Sequence, residues 1–415
     1  MGCMRRPCRC EWMRRKPLFP PLNRHTGRRK QNKGSDGHDL LTVNGRVRIR
    51  RKHYHSPGEG TTTPVDVLLD AAEATVSVGV REMCSRLNGA AGSFDRASEN
   101  LARTAQLRIS RETLRQMVES DGKLALHLSD AGGLAPGWKA QDCLGPEGQS
   151  LIYLSSDGFT VPLVTDAEKK KRRVQTRARR QRCGKKRRRL TPAKRGADQR
   201  YKEFKAVMFY DQEMEHRLVS VTRGDCQEAG RLMRRDAWRI SFGSAEYRVG
   251  NIDGGPWIIG QIGKRRLPMT ATGLDFYHLG ENVHKARRAV FGEESEAGKQ
   301  WAGTVLHTAK HEGYEPFWEQ LLELRKNCRG RARRKAADGL LNYVSDRREM
   351  IRYPEFLAHG WQIGSGPMES QCRVVPDRVK GPGKRWDADN AEAVMALEAL
   401  HQSRQWAAFW KAALN

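Results

Sequence analysis

Apolar side chains recur at two different periods along this chain, and the changes of period mark out its parts. Val47 and Ile49, and less regularly Tyr54, alternate with basic residues, which predicts a half-exposed strand in a small hairpin or ribbon. From Pro64 to about Asp130 the spacing becomes helical, with Val67, Leu68, Ala71 and Ala72 as one set and Val80, Met83, Cys84 and Leu87 as a second. Ser93 and Ser110 each stand before a short helical run as N-caps do, so two short helices joined by a tight turn are expected. Such a pair sets Arg111 and Arg115 where a helix-turn-helix motif meets the major groove, and a plain helical hairpin inside a bundle has the same pattern.

Gly132, Gly133, Pro136, Gly137, Gly145, Pro146 and Gly148 then read as a linker. Beyond it, the run from Leu151 to Val164 predicts a buried strand, an acidic turn at Asp157 and a second strand. Phe204–Tyr210 and His216–Val221 predict two more strands, Gln227–Trp238 a helix, and Tyr247–Ile252 a strand that delivers Asp253 at its C-terminal end. Strands in a meander, a helix, then another strand with acidic side chains at the tips is the pattern of an α/β core. Leu274–His278 opens a helix, and a mostly helical stretch continues to about Tyr353 through Trp301, Leu306, Trp318, Leu321, Leu322 and Leu340. Gly364-Ser-Gly-Pro367 starts a further helix with Glu369 in its first turn, and Asp389–Leu400 is amphipathic, with Trp406, Phe409 and Trp410 expected to seat the end of the chain. The expected organisation is a disordered basic arm over 1–40, a mainly helical N-terminal DNA-binding region with a strand over 41–135, core segments over 150–279 and 356–415, and a helical insertion over 280–355.

Charge narrows the function. A formal net charge of +28 and a pI near 10.1 point to a polyanionic partner, nucleic acid before membrane. Much of the charge lies in the tract 169–189, with Lys169, Lys170, Lys171, Arg172 and Arg173 at one end and Lys185, Lys186, Arg187, Arg188 and Arg189 at the other. So dense a run repels itself, so it is expected to be a flexible insertion between strands that orders on phosphate. Arg378, Lys380, Lys384 and Arg385 form a second basic group suited to the DNA backbone. No apolar run approaches the roughly 20 residues that span a bilayer, and the first residues lack the apolar core of a signal peptide, so a cytoplasmic, nucleoid-associated protein is expected. Nine scattered cysteines include no Cys-x-x-Cys pair, and the spacing of Cys3, Cys8 and Cys10 ahead of His25 does not match a zinc knuckle; zinc is not expected.

Three acidic residues remain, each at a predicted element edge: Asp157 in Ser-Ser-Asp-Gly-Phe, Asp253 in Asn-Ile-Asp-Gly-Gly-Pro-Trp, and Glu369 in Ile-Gly-Ser-Gly-Pro-Met-Glu-Ser. Two Mg²⁺ ions acting on a phosphodiester need several carboxylates drawn from different elements, and these are the candidate ligands and catalytic groups. His278 follows Asp275 by three positions on one helical face, which suits a supporting hydrogen bond beside the metals and equally a histidine satisfied within the core.

From about Asn44 to Trp410 the chain resembles bacterial insertion-sequence transposases of the DDE type, most closely the ISKra-like group related to Mutator-like elements. The resemblance rests on Asp-Gly at 157–158, Asp-Gly followed by Trp-Ile at 253–258, Leu-Asp-Phe-Tyr-His at 274–278, Arg348-x-Met350-x-x-Tyr353, Ile-Gly-Ser-Gly-x-x-Glu-Ser at 363–370, Arg378-x-Lys380 and Arg385-Trp386, in that order. It implies a ribonuclease H-like catalytic core, two Mg²⁺ or Mn²⁺ ions, and Asp157, Asp253 and Glu369 as catalytic triad. It also implies cleavage at the terminal inverted repeats of an element and joining of the freed 3′-hydroxyl to target DNA by a homo-oligomer on double-stranded DNA. Members of the group usually carry N-terminal cysteine pairs, and His55-Ser-Pro-Gly-Glu-Gly-Thr stands here where the second would fall. A nuclease on the same core and an inactive DNA-binding regulator are the alternatives.

Overall fold

In a computed structural model of the chain, residues 26–64, 75–184 and 194–413 are described. The chain divides into two units, residues 1–118 with 410–415, and residues 119–409.

The first unit carries a polar ribbon. Strand β1 (Gln31–Thr42) runs antiparallel to β2 (Gly45–Ser56), which pairs in turn with β3 (Gly60–Thr62). Asn44-Gly45 makes the turn, where Gly45 takes the positive φ of +106° that this dipeptide supplies readily. Residues 31–40, expected to lie in a disordered arm, are therefore strand. Residues 31–40 show no apolar period because they are almost wholly exposed, and the hydrogen-bond ladder holds them as strand. Residues 1–25, with Cys3, Cys8, Cys10 and His25, lie outside the described residues, as does the set from Val67 to Ala72. Helix α1 (Val78–Ala90) is capped by Ser77 and α2 (Phe94–Thr104) by Ser93, whose Oγ accepts the Arg96 N–H. Helix α3 (Arg111–Asp130) begins at Ser110 as expected but is 20 residues long, and residues 105–110 connect it to α2 in place of a tight turn.

The second unit is a mixed α/β structure built on a five-stranded sheet: β4 (Leu151–Pro162), β5 (Tyr201–Tyr210), β6 (Arg217–Thr222), β7 (Tyr247–Ile252) and β8 (Ala271–Leu274), in the order β6-β5-β4-β7-β8. β4, β5 and β6 form an antiparallel meander, and β7 and β8 extend it with strands parallel to β4. β4 is one continuous strand, so Asp157 lies within it, opposite Ala206, and not on a turn between two strands. Both faces of the central strands are covered, which makes the ladder worth more to the chain than the local turn preference of Asp-Gly. The short β8 escaped the sequence reading. Nor is the stretch before β4 a plain linker: Ala140 and Cys143 are fully buried, and Leu144 bridges Ser150.

The basic tract begins as a helix, α4 (Asp166–Arg182), where a flexible loop was expected. Thr165 and Glu168 form a capping box, and Asp166 and Glu168 set negative charge in the first turn, which offsets the repulsion further along. α5 (Cys226–Arg239) lays Leu232, Met233 and Ala237 on Ile152, Leu154, Val207, Phe209 and Leu218. Burying each such side chain stabilises the fold by roughly 1.5–3 kcal/mol. α6 (Pro256–Lys264) leads to β8, and the helical stretch follows as α7 (Phe276–Phe291), α8 (Glu296–His311), α9 (Tyr314–Asn327), α10 (Arg331–Ser345) and α11 (Tyr353–Ala358). Val283, Val305, Phe317, Leu321, Leu340 and Val344 join it to the same core as the sheet. α12 (Gly366–Val374) packs on β4, and α13 (Ala388–Gln402) packs on β6. Among the described residues no helix is long and apolar enough to cross a membrane.

Candidate active site

The pairing register brings the acidic residues into line. Leu154 stands beside Gly250 in the parallel pair β4–β7, and three residues further along each chain come Asp157 and Asp253. Ile252 stands beside Leu274 in β7–β8, so the next residues are Asp253 and Asp275. Neighbouring strands are about 4.8 Å apart and in-register parallel residues point to the same face, so the three aspartates share one edge of the site. Burial, with the Asp253 charge adding to it, pushes the Asp157 carboxyl above its usual range against the pull of the Gly158 N–H. Mutual repulsion between half-buried carboxylates is what a divalent cation relieves, so these residues fit a hard metal.

The helix bearing Glu369 is tied to this edge. Asp275 is fully buried and caps α7, its Oδ1 accepting the His278 N–H at 3.0 Å, while its Oδ2 accepts the N–H of Ser365, the N-cap of α12. The Phe276 N–H donates to the Ile363 carbonyl at 2.9 Å beside them. Glu369, exposed, follows one turn later. One ligand atom each from Asp275, His278 and Glu369 lie within 4.8 Å of one another. Cys372, a turn further on, donates its S–H to Asp157 Oδ2 at 3.6 Å. α12 thus spans the gap between Asp157 and the α7 cap; among the described residues the ligand atoms that meet here are those of Asp275, His278 and Glu369, while Asp157, Asp253 and Glu369 do not form such a group. Cys372 was missed because only cysteine pairs carry a sequence signal.

His278 Nδ1 lies 3.5 Å from Asp275 Oδ1. That pairing, with burial opposing it, raises the imidazole to about 9, and Asp275 is brought down to about 2 because its interactions with His278 and Ser365 outweigh burial. At neutral pH His278 is therefore a cation beside the carboxylates, which suits a supporting and phosphate-attracting role more than metal ligation. The linkage has a defined sign. Asp275 contributes stability above its unfolded value near 4, and His278 contributes fully below about 6.5 and loses its share as pH rises through about 9. Asp275→Asn keeps one backbone acceptor but turns its amide NH₂ toward the Ser365 N–H, a cost present at every pH, and it also removes the charge, so the loss measured by urea denaturation is expected to be larger near pH 6 than near pH 10 by about 1–3 kcal/mol. An equal cost at both would contradict the pairing.

Behind Asp253 the chain turns sharply. Gly254 holds φ +76°, and a Cβ there would collide with the Arg347 side chain and with Leu274. An open groove lined by Tyr277, Glu281, His284, Lys285, Arg288 and Glu369 runs along α7 from the site. Tyr277 is exposed at 68% and was not singled out in the sequence.

The predicted phosphate contacts differ in exposure and in what they touch. Lys170, Lys171 and Arg172 lie on the outer surface of α4, Arg173 is half-buried, and α4 buries no residue at all. Lys169 instead pairs with Asp387 at 2.5 Å and donates to the Lys194 and Arg195 carbonyls. Arg385 donates to the Leu163 carbonyl and to Glu168, and Arg378 is buried against the Trp386 ring at 5.2 Å, where desolvation lowers it to about 10. These three are engaged within the fold. Lys380 stacks over Phe159 at 5.3 Å and Lys384 donates to the Asp377 carbonyl, so both are half-engaged. In the first unit Arg111 pairs with Asp95 and Arg115 with Glu112, on exposed or half-exposed side chains. Lys185, Lys186, Arg187, Arg188 and Arg189 lie outside the described residues.

Fold and site together define a class, an α/β protein with an acidic cluster at one edge of its parallel strands and a basic helix nearby in sequence. A model of an uncharacterised protein family, UPF0236, matches residues 23–192, which take in the ribbon, Asp157 and α4 but stop short of Asp253 and Glu369. No curated protein matches the chain.

Proposed function

We propose that the chain is a DDE transposase of a bacterial insertion sequence, of the ISKra-like kind, built on a ribonuclease H-like core. The observation that carries this reading is the alignment of Asp157, Asp253 and Asp275 across three neighbouring strands, with Glu369 brought to them by the Asp275–Ser365 clamp. A three-stranded meander extended by two parallel strands is the sheet such a core requires, which supports the same reading.

Asp157, Asp253 and Glu369 would hold two Mg²⁺ or Mn²⁺ ions, which when bound lower the pKa of a water or 3′-hydroxyl and stabilise the leaving oxygen. Asp275 fixes the approach of α12, and protonated His278 adds positive charge beside the reacting phosphate. No covalent protein–DNA link is needed, since the nucleophile is a hydroxyl oxygen. The partner is double-stranded DNA, as element ends and as target, gripped through phosphates by the exposed charges of α4 and by Lys380 and Lys384, with the protein acting as a homo-oligomer. Incubation of the full chain with a pre-cut element end, a target plasmid and Mg²⁺ is expected to give joined product. Cleavage without joining would make the protein a nuclease, and metal-independent binding without either would make it a regulator.

A further inference from the structure

Cys143, Asp211 and His216 meet away from the acidic edge. Asp211 lies five positions beyond Ala206, the partner of Asp157, and therefore about 17 Å along β5 from it. Asp211 and His216 bracket the turn between β5 and β6, and Cys143 comes from the segment ahead of β4. One ligand atom from each lies within 4.8 Å of the others, and bonds of about 2.0–2.3 Å to one tetrahedral ion would draw them to roughly 3.3–3.8 Å.

An ordinary turn accounts for only part of this. Asp211 Oδ2 accepts the His216 N–H at 3.1 Å and lies 2.8 Å from His216 Nδ1, which closes the turn. Asp211 Oδ1 is left buried with no hydrogen-bond partner, on a residue only 4% exposed. Such an atom costs roughly 1–3 kcal/mol unless something meets it. The Arg217 guanidinium, whose Nε donates to the Gln402 carbonyl, acts on Asp211 through its charge without a hydrogen bond to Oδ1. The Cys143 thiol is also fully buried, with a 4.0 Å contact to the Lys139 carbonyl. Trp138 packs on the His216 ring at 5.5 Å and steadies it.

We propose that Cys143 Sγ, Asp211 and His216 Nδ1 bind one zinc ion that ties the β5–β6 turn to the segment entering β4. A thiolate with an imidazole and a carboxylate selects zinc over the hard ions, and the half-exposed His216 side leaves the fourth position to water. Binding displaces the thiol proton to solvent, and the Asp211–His216 hydrogen bond gives way to two metal bonds. The role is structural, and it stands whether or not the protein joins DNA.

Chelator-treated full chain titrated with Co²⁺ tests it through the thiolate-to-cobalt charge-transfer band, which oxygen-ligated ions at the acidic edge do not give. One equivalent is expected to give the band in the parent chain, in Cys372→Ser and in a variant with Cys3, Cys8 and Cys10 all changed to Ser. Cys143→Ser is expected to abolish it. His216→Asn, on the half-exposed side of the site, is expected to fold as the parent does and weaken the apparent Kd for Co²⁺ by at least about tenfold. Zinc is expected to raise the urea midpoint of the parent and leave that of His216→Asn unmoved. Absence of the band from the parent, a band indifferent to Cys143→Ser, or unchanged affinity in His216→Asn would each overturn the site.

Discussion

Asp157→Asn, Asp253→Asn and Glu369→Gln proteins are expected to bind element-end DNA as the parent does while losing strand transfer by about a hundred- to a thousandfold each, the scale of removing one group from a preorganised electrostatic site. Each exchange keeps the shape of the side chain. Asn at 157 still accepts the Gly158 N–H, and Asn at 253 still accepts the Gly255 N–H at 2.7 Å, so the fold has little reason to change. What goes is one negative charge, at the strand edge for Asp157 and Asp253 and on the first turn of α12 for Glu369. Affinity for DNA is expected to hold or rise slightly, since each change removes a charge that repels phosphate. Normal joining by any one of the three would remove that residue from the site.

A second large effect is expected from α4. Its exposed Lys170, Lys171, Arg172, Arg177, Arg179 and Arg182 lie away from the face on which Lys169, Arg173 and Arg180 are half-buried. Among the described residues, ties through Asp166, Glu168 and Lys169 anchor the first turn of this helix, and a duplex offers phosphates on both walls of its major groove to the exposed charges beyond it. Exchange of all six for Gln leaves a good helix former at every position and relieves like-charge repulsion, so helicity is expected to persist. The slope of log affinity against log salt falls by about 0.9 for every phosphate that the protein no longer neutralises. If half of the six side chains touch phosphate, the slope measured by fluorescence anisotropy falls by about 2.7, and affinity at low salt falls with it. An unchanged slope would mean that the helix does not touch the DNA backbone.

Much of the frame was legible because its edges are written in local chemistry. Gly-Ser-Gly-Pro before Glu369 announces a helix start, and the apolar runs of β5, β6 and β7 lie where alternation and burial placed them, whereas the helix that Pro256 opens after Asp253 went unread. Asp157 was misplaced for a physical reason: Asp-Gly favours a turn in isolation, but inside a sheet covered on both faces the ladder prevails. The helix in the basic tract was hidden by its charge, although Thr-Asp-Ala-Glu at 165–168 is a capping box in plain view. Lys169, Arg378 and Arg385 looked like phosphate contacts because their partners Asp387, Trp386, Leu163 and Glu168 come near only on folding. Register was not legible at all. That Asp253 falls beside both Asp157 and Asp275 follows from two strand pairings, one of them with a strand of four residues that gave no signal of its own.

Anomalous diffraction from crystals of the full chain grown with Mn²⁺ tests the convergence of these carboxylates most directly. The account predicts manganese density in contact with Asp157 and Asp253, and Glu369 within coordination distance of the same ions. Manganese bound elsewhere, or density that leaves Asp157 and Asp253 untouched, would contradict it.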